Sequence, residues 1–483
     1  MAIRSIPLYL FVPGRIRNPR VFVTGRCSFT NTSSSAENYW KILHGNGSEL
    51  NLEKTLAKTR AKLNSSIIED IIRRCSIDQS LLGLRFFIWA GLQPDYRHST
   101  LMYNKACQLF KVDQRPETLN DVLEAYRKEG CLVSVKTFKV ILNLCREAKL
   151  AEEALVVLKK MREFNCRPDT TTYNVVIRLF SEKGDMDMAL GLMKEMALID
   201  LYPDMITYVS MIKGFCNLGQ LENACELIKV MRSHGCFPNV VAYSALLDGV
   251  CKTGNLERAL DLLGEMENEG QDCFPNVVTY TTMIQSFCEK GRTMEAVALL
   301  ERMGSHGCPA NRVTVSTLIK GLCSEGRIDE AYKLIDKVVA DGSVSTEGCY
   351  SSLVVSLLQI KNMEEAEKLF RKMLVSGIRP DGLACSSFIK QLCSEGRVLD
   401  GFEWYYEMEK KEFLTSVDSD IHSILLVGLC QKGQVVEAAK LVGVMFDRRI
   451  QLKAPYVDEI IEFLKRSGET ELALRLTSFV GSS

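Results

Sequence analysis

Nowhere do the 483 residues hold the roughly 18 consecutive apolar side chains that a membrane-crossing helix needs, so no integral membrane protein is expected. No Cys-x-x-Cys pair occurs among the 18 cysteines. The chain is also far longer than the small secreted domains that depend on disulfide staples, so the thiols read as reduced and structural. The five histidines, His44, His98, His234, His306 and His422, stand alone, without the His-x-Glu and Cys-x-x-Cys set that holds a catalytic zinc and its water. A phosphate-cradling Gly-x-x-x-x-Gly-Lys-Ser/Thr loop is missing too. Acidic residues such as Glu265 and Glu301 fall on helix positions that face solvent. These absences leave nothing that reads as an active site: the chain is expected to be no enzyme and to hold neither cofactor nor metal.

Acidic residues are absent before Glu37, whereas Arg4, Arg15, Arg17, Arg20 and Arg26 stand there among Ser, Thr and short apolar runs. This is the composition of an organelle transit peptide, assigned to residues 1–35. The short run from Ile6 to Val12, broken by Pro7, fits a secretory signal less well. Arginine richness favours the mitochondrion, with the chloroplast as the alternative. The whole chain has 60 basic and 60 acidic residues, so without those five arginines 55 face 60. A slightly acidic mature protein has no global attraction for nucleic acid. Any such affinity must come from basic residues gathered on one surface.

What the sequence does have is a repeat. With 46% hydrophobic and 25% charged residues the chain reads as folded, and its length exceeds what one core supports. A repeat array escapes that limit, and from about residue 100 the sequence resembles itself at a period of 35. Gly recurs at 184, 219, 254, 291, 326, 396, 433 and 468, and Ala at 154, 189, 224, 259, 296, 331, 366, 438 and 473. Cys216, Cys251, Cys288, Cys323, Cys393 and Cys430 mark another shared position, small and apolar. Within 205–239, Tyr208, Met211, Ile212 and Phe215 form one apolar stripe at helical spacing, and Gly219 ends it. Leu221, Ala224, Leu227, Ile228 and Met231 form a second, closed by Gly235 and Pro238. Neither helix buries its stripe alone, so neighbours must stack.

The expected fold is all-α: a right-handed α-solenoid, or superhelix, of about 11–12 stacked helix-turn-helix repeats of 35 residues. Residues 36–64 form a non-repeat helical N-terminal segment, 65–99 a degenerate capping repeat, 100–453 ten full repeats, and 454–483 a partial C-terminal capping repeat.

The unit V-T-Y-x-x-L-I-x-G-x-C-x-x-G-x-x-x-x-A-x-x-L-x-x-x-M-x-x-x-G-x-x-P-D/N resembles the pentatricopeptide repeat family. Repeats of 35 residues or slightly more resemble its P-class, plant organellar RNA-binding proteins. In that family each repeat meets one base of single-stranded RNA, chosen by the residue at position five and the last residue of the repeat, while position two sandwiches the ring. Carried onto this chain, the pairs are Asn104 with Ser134, Lys139 with Asp169, Asn174 with Asp204, Val209 with Asn239, and Ser244 with Asn276. They continue with Thr281 and Asn311, Ser316 and Thr346, Ser351 and Asp381, Ser386 and Asp418, then Ser423 and Lys453. The sandwiching residues are Ile206, Val241, Val278 and Val313, whereas Lys136, Gly348 and Asp420 depart from the pattern.

The resemblance implies that Ser or Thr with Asn reads adenine, Ser or Thr with Asp guanine, Asn with Asp uracil, and Asn with Ser cytosine. The site then reads 5′-C-?-U-?-A-A-?-G-G-?-3′, open where Lys139, Val209, Thr346 and Lys453 fall outside the code. The insertion in 382–418 leaves Ser416 as a second choice for Asp418. Tyrosines at position four, including Tyr173, Tyr208, Tyr243, Tyr280 and Tyr350, read as core. The expected function is sequence-specific single-stranded RNA binding in an organelle, acting in processing, stabilisation, splicing or translation without catalysis. Its partners are RNA and other organellar RNA-processing proteins, with the chain itself a monomer. The alternative is a protein-binding helical scaffold, such as a mitochondrial ribosome-associated subunit.

Overall fold

The computed structural model describes residues 30–45, 52–59, 63–75, 79–411, 413, 419–448, 450 and 454–466, with single positions between 468 and 477. Most of the expected transit segment lies outside the described residues, as do Asp418 and Lys453. Regular structure among the described residues is helical throughout, and no helix there is long and apolar enough to cross a membrane. The chain divides into two units, residues 1–179 and 180–483.

The first unit contains α1 (Thr30–Gly45), α2 (Leu52–Ala57), α3 (Ser65–Arg74), α4 (Ser80–Gly91), α5 (Thr100–Phe110), α6 (Glu117–Lys128), α7 (Val135–Glu147) and α8 (Ala151–Glu163). The boundary falls inside α9 (Thr170–Lys183). The second unit continues with α10 (Met186–Leu198), α11 (Met205–Asn217), α12 (Leu221–Ser233), α13 (Val240–Thr253), α14 (Leu256–Asn268), α15 (Val277–Glu289), α16 (Thr293–Ser305) and α17 (Arg312–Ser324). It ends with α18 (Ile328–Ala340), α19 (Thr346–Gln359), α20 (Met363–Val375), α21 (Gly382–Ser394), α22 (Val398–Lys410), α23 (Ser419–Gln431), α24 (Val435–Asp447) and α25 (Ala454–Arg466).

In the second unit the odd-numbered helices form one row. There α11 packs on α13, α13 on α15, α15 on α17, α17 on α19, α19 on α21, and α21 on α23. Each also pairs with the helix that follows it in the chain, so the unit is a stack of helical hairpins. The turn within a hairpin needs a left-handed residue, and Gly219 supplies φ 71° between α11 and α12. Lys149 and Lys361 occupy the same turn at φ 58° and 59°, where the glycine pattern is silent.

Packing explains the other repeated residues. Ala224, Ala259, Ala296 and Ala331 are fully buried where the two helices of a hairpin meet neighbours. Tyr208, Tyr243 and Tyr280 are core residues too, the first two with the hydroxyl tied to the far end of their own hairpin and Tyr280 to the end of the preceding one. Tyr208 bonds His234 Nδ1 at 2.7 Å, while Tyr243 and Tyr280 donate to Glu269 and Glu267 at 2.6 and 2.7 Å. The free cysteines are mostly buried, and burial pushes the Cys216 and Cys323 thiols up to about 11. Ion pairs then join consecutive hairpins, Arg302 Nε to Glu267 at 2.9 Å and Lys337 Nζ to Glu301 at 2.7 Å.

In the first unit α3 and α4 form the hairpin over 65–99, against which α1 and α2 pack. Arg85 of α4 is buried and reaches Glu53 of α2 at 2.7 Å and Glu129 after α6 at 2.6 Å, so one cation ties three elements together. Nearby, His98 stacks on Phe87 with ring centroids 3.7 Å apart and its Nε2 lies 2.8 Å from the Phe87 carbonyl oxygen. Burial lowers the His98 pKa to about 4, against a smaller opposite effect of that carbonyl. The folded value lies below the ordinary one of about 6.5, so stability is complete above that pH and is lost as pH falls toward 4. Denaturation of the first unit, followed through Trp89, should show a loss approaching about 3 kcal/mol over that window. His98→Phe should flatten the dependence.

Candidate nucleic-acid interface

In most of the described repeats the last residue is the N-cap of the next odd-numbered helix. Cap side chains accept from backbone N–H groups that the first turn leaves without a helical partner. Asn276 Oδ1 accepts from Thr279 N at 3.0 Å, Asn311 Oδ1 from Thr314 N at 2.9 Å, and Asp381 Oδ1 from Ala384 N at 2.8 Å. Asp169, Asp204 and Asn239 cap in the same way, with bonds of 3.0 Å to Thr172, Thr207 and Val241. Ser134 stands at the cap of α7, its backbone N–H donating to Thr137 Oγ1 at 3.3 Å.

Capping has a chemical consequence. When Asn spends its oxygen on the helix, its NH₂ donor remains unused by the cap; a capping Asp keeps a second oxygen, an acceptor. In the second unit Asn239, Asn276 and Asn311 thus keep an NH₂ donor, whereas the second oxygens of the caps Asp169 and Asp381 are engaged by Lys139 and Arg312.

Position five lies next to this row. Lys139 Nζ meets Asp169 Oδ2 at 2.6 Å, and Ser351 Oγ accepts from the Asp381 backbone N–H at 3.0 Å, so two of the expected pairs are in direct contact. Two more are linked through a threonine. Ser244 Oγ lies 2.9 Å from Thr279 Oγ1, which donates to Asn276 Oδ1 at 3.2 Å. Likewise Thr281 Oγ1 lies 2.8 Å from Thr314 Oγ1, which donates to Asn311 Oδ1 at 3.1 Å. Burial pushes the Asp169 carboxyl up, but bonds from Lys139, Thr171 and the Thr172 amide outweigh it and hold the group below the usual range.

Other members stand differently. Asn104 is exposed, Ser316 donates to its own helix at Val313 O (3.0 Å), and Val209, half-buried, offers no polar group. Asn174, Ser351, Ser386 and Ser423 are buried, and Ser423 Oγ finds no partner among the described residues. Thr346 is not a cap. Helix α19 begins one residue early, and Ser345 Oγ accepts from Gly348 N at 3.2 Å in its place.

Position two forms an apolar row beside the caps. Ile206, Val241, Val278 and Val313 are 52–68% exposed, unusual for branched aliphatics with no covering chain. Leu101 and Leu383, which the sequence reading passed over, hold the same position at 62% and 64%; the 35-residue register already placed them there. Lys213 and Lys320 are exposed one helical turn beyond Val209 and Ser316, on the same helix face.

A stack of hairpins that repeats a cap and an exposed aliphatic along its helix ends is a helical-repeat protein. Family models described as "PPR repeat" match residues 313–343, 348–378, 384–413 and 421–450. Those described as "PPR repeat family" and "Pentacotripeptide-repeat region of PRORP" match 275–324 and 117–259. A pentatricopeptide repeat-containing protein of Arabidopsis thaliana is 51% identical over 452 residues, 93% of this chain and 94% of the relative. A mitochondrial member from the same plant is 27% identical over 120 residues, 25% of this chain and 23% of its own length. The chain belongs to the pentatricopeptide repeat family. Among solved structures, the maize pentatricopeptide repeat protein PPR10 is similar at TM-score 0.48 and 21% identity, over 89% of this chain and 66% of that one. Yeast Rmd9p, in complex with a 16-nt target RNA, is similar at TM-score 0.42 and 14% identity, over 91% and 85%.

Proposed function

We propose that this chain binds single-stranded RNA in a mitochondrion, one base per repeat, and acts by occupancy rather than catalysis. The observation that carries this reading is the recurrence, in the repeats over 205–239, 240–276 and 277–311, of an Asn cap with an NH₂ to spare beside a position-five residue and an exposed aliphatic at position two. A donor or acceptor at the cap suits the central atom of a base's Watson-Crick edge. Adenine N1 and cytosine N3 accept, so they call for Asn or Ser; guanine N1 and uracil N3 carry a hydrogen, so they call for Asp. The implied family code has that same logic. Aliphatics at position two can flank the ring, and lysines such as Lys213 and Lys320 can meet phosphate.

Residues 1–35 would direct the chain to the organelle, in keeping with relatives named as mitochondrial. Unpaired bases ordered along the cap row would be hidden from nucleases and from pairing, so one stoichiometric protein can protect, remodel or aid translation. Selection of the purified chain against a randomised short RNA pool should enrich C-?-U-?-A-A-?-G-G-?. Affinity should fall with salt by a log–log slope of about 0.7 per neutralised phosphate. Binding that ignores base sequence would refute the reading, and salt-independent capture of protein would favour the scaffold alternative.

A further inference from the structure

One ion pair departs from the ladder that joins neighbouring hairpins. Arg312, the first residue of α17, bonds through Nη2 to Asp381 Oδ2, the cap of α21, 69 residues further along the chain. It passes over the start of α19, where position two holds Gly348 in place of an aliphatic. A Cβ on Gly348 would stand 3.7 Å from Arg312 Cδ and Nε, so the arginine stem lies in the space that the missing side chain leaves. Arg312 remains 56% exposed there. Asp381 is held from three directions: its Oδ1 takes the Ala384 N–H at 2.8 Å, its backbone N–H donates to Ser351 Oγ at 3.0 Å, and Oδ2 takes Arg312.

We infer that Arg312 serves the repeat over 347–381 as a specificity-determining residue, its guanidinium plane covering the base in place of the absent position-two side chain. This rests on the RNA reading above and adds a residue that the two-residue pairing leaves out. The planar, weakly hydrated guanidinium stacks on a nucleobase, whereas a lysine ammonium does not. A carboxylate oxygen carries two lone pairs, so Oδ2 can keep Arg312 and still accept from guanine N1–H or its amino group. Arg312 thereby aims the acceptor and flanks the ring, and the ligand it selects is a purine with a Watson-Crick donor.

The test uses the full chain and four labelled RNAs that differ only at the eighth base of the expected site, with a second set varied at the fifth. Arg312→Ala should reduce the preference for guanine at the eighth base by about fivefold and leave the fifth base untouched. Arg312→Lys keeps the charge opposite Asp381 but not the plane, and should lose as much. The double variant Arg312→Ala with Gly348→Val returns an aliphatic to position two and should recover affinity. Eighth-base discrimination that survives in Arg312→Ala, or Arg312→Lys indistinguishable from the unsubstituted chain, would overturn the inference while fifth-base discrimination upholds the RNA reading. No base preference at either position in the unsubstituted chain would overturn both. Equal melting temperatures across the variants separate these outcomes from misfolding.

Discussion

Gly249→Val should destabilise the second unit by at least about 3 kcal/mol, because the new side chain has nowhere to go. A Cβ at Gly249 of α13 would lie 2.3 Å from both Cβ and Sγ of Cys216 on α11. The Gly321 Cβ would meet Cys288 Sγ at 2.6 Å in the corresponding place between α15 and α17. At these two places a helix glycine and the recurring cysteine are two halves of one contact between successive repeats, and the absence of a side chain sets how closely the odd-numbered helices approach. In a stacked array each interface is a separate term in stability, so separating α11 from α13 also uncouples the repeats on either side. Urea unfolding should show an earlier and broader transition for Gly249→Val. Cys216→Ala in the same chain should recover only part of the loss, since Cβ remains. Gly304 in α16 is the control: nothing lies within 4 Å of its Cβ position, so Gly304→Ala should be neutral or stabilising by up to about 1 kcal/mol. Unchanged unfolding of Gly249→Val would show that the helices part without cost.

Most of the hairpin stack was legible because each structural requirement recurs at a fixed spacing. The turn glycines, the hairpin alanines and the buried tyrosines each mark one position in repeat after repeat, so one degenerate repeat does not obscure the rest. The cap row was legible for the same reason, although its capping role was not: a last residue that is Asp or Asn can be read equally as a base contact or as a helix start, and here it is a helix start with one group to spare. What periodicity could not supply was the local exception. In Ser343-Val344-Ser345-Thr346 two adjacent hydroxyl residues can cap, and the choice of Ser345 goes with a neighbour 33 residues earlier, Arg312, lying over Gly348. Lys149 and Lys361 keep the left-handed turn without glycine, at a backbone cost of about 1 kcal/mol each, in two hairpins that the other recurring positions had already placed. Burial of Ser351 and Ser386 beside a half-exposed Ser244 is likewise a packing result, invisible in residues of the same type.

The exchange Asn276→Asp should convert the preferred fifth base from adenine to guanine, with about a tenfold loss for one and a similar gain for the other. The substitution is nearly silent for the fold. Asn276 Oδ1 accepts from Thr279 N at 3.0 Å and from Thr279 Oγ1 at 3.2 Å, and an aspartate oxygen accepts both bonds equally well. A carboxylate at a helix N-terminus is also favoured by the helix dipole. Only the group not used by the cap changes, from an NH₂ able to donate to adenine N1 into an oxygen that would repel that lone pair and accept from guanine N1–H. Asn276→Ala should lose both roles at once, the cap at about 1 kcal/mol and any base preference with it, whereas Asn276→Asp keeps the cap. Binding of the purified variants to RNAs with each base at the fifth position measures the switch, and thermal melting shows that the stack is intact. Should Asn276→Asp keep its preference for adenine at an unchanged melting temperature, the cap row would be helix chemistry alone, and the bases would have to be chosen elsewhere on the solenoid.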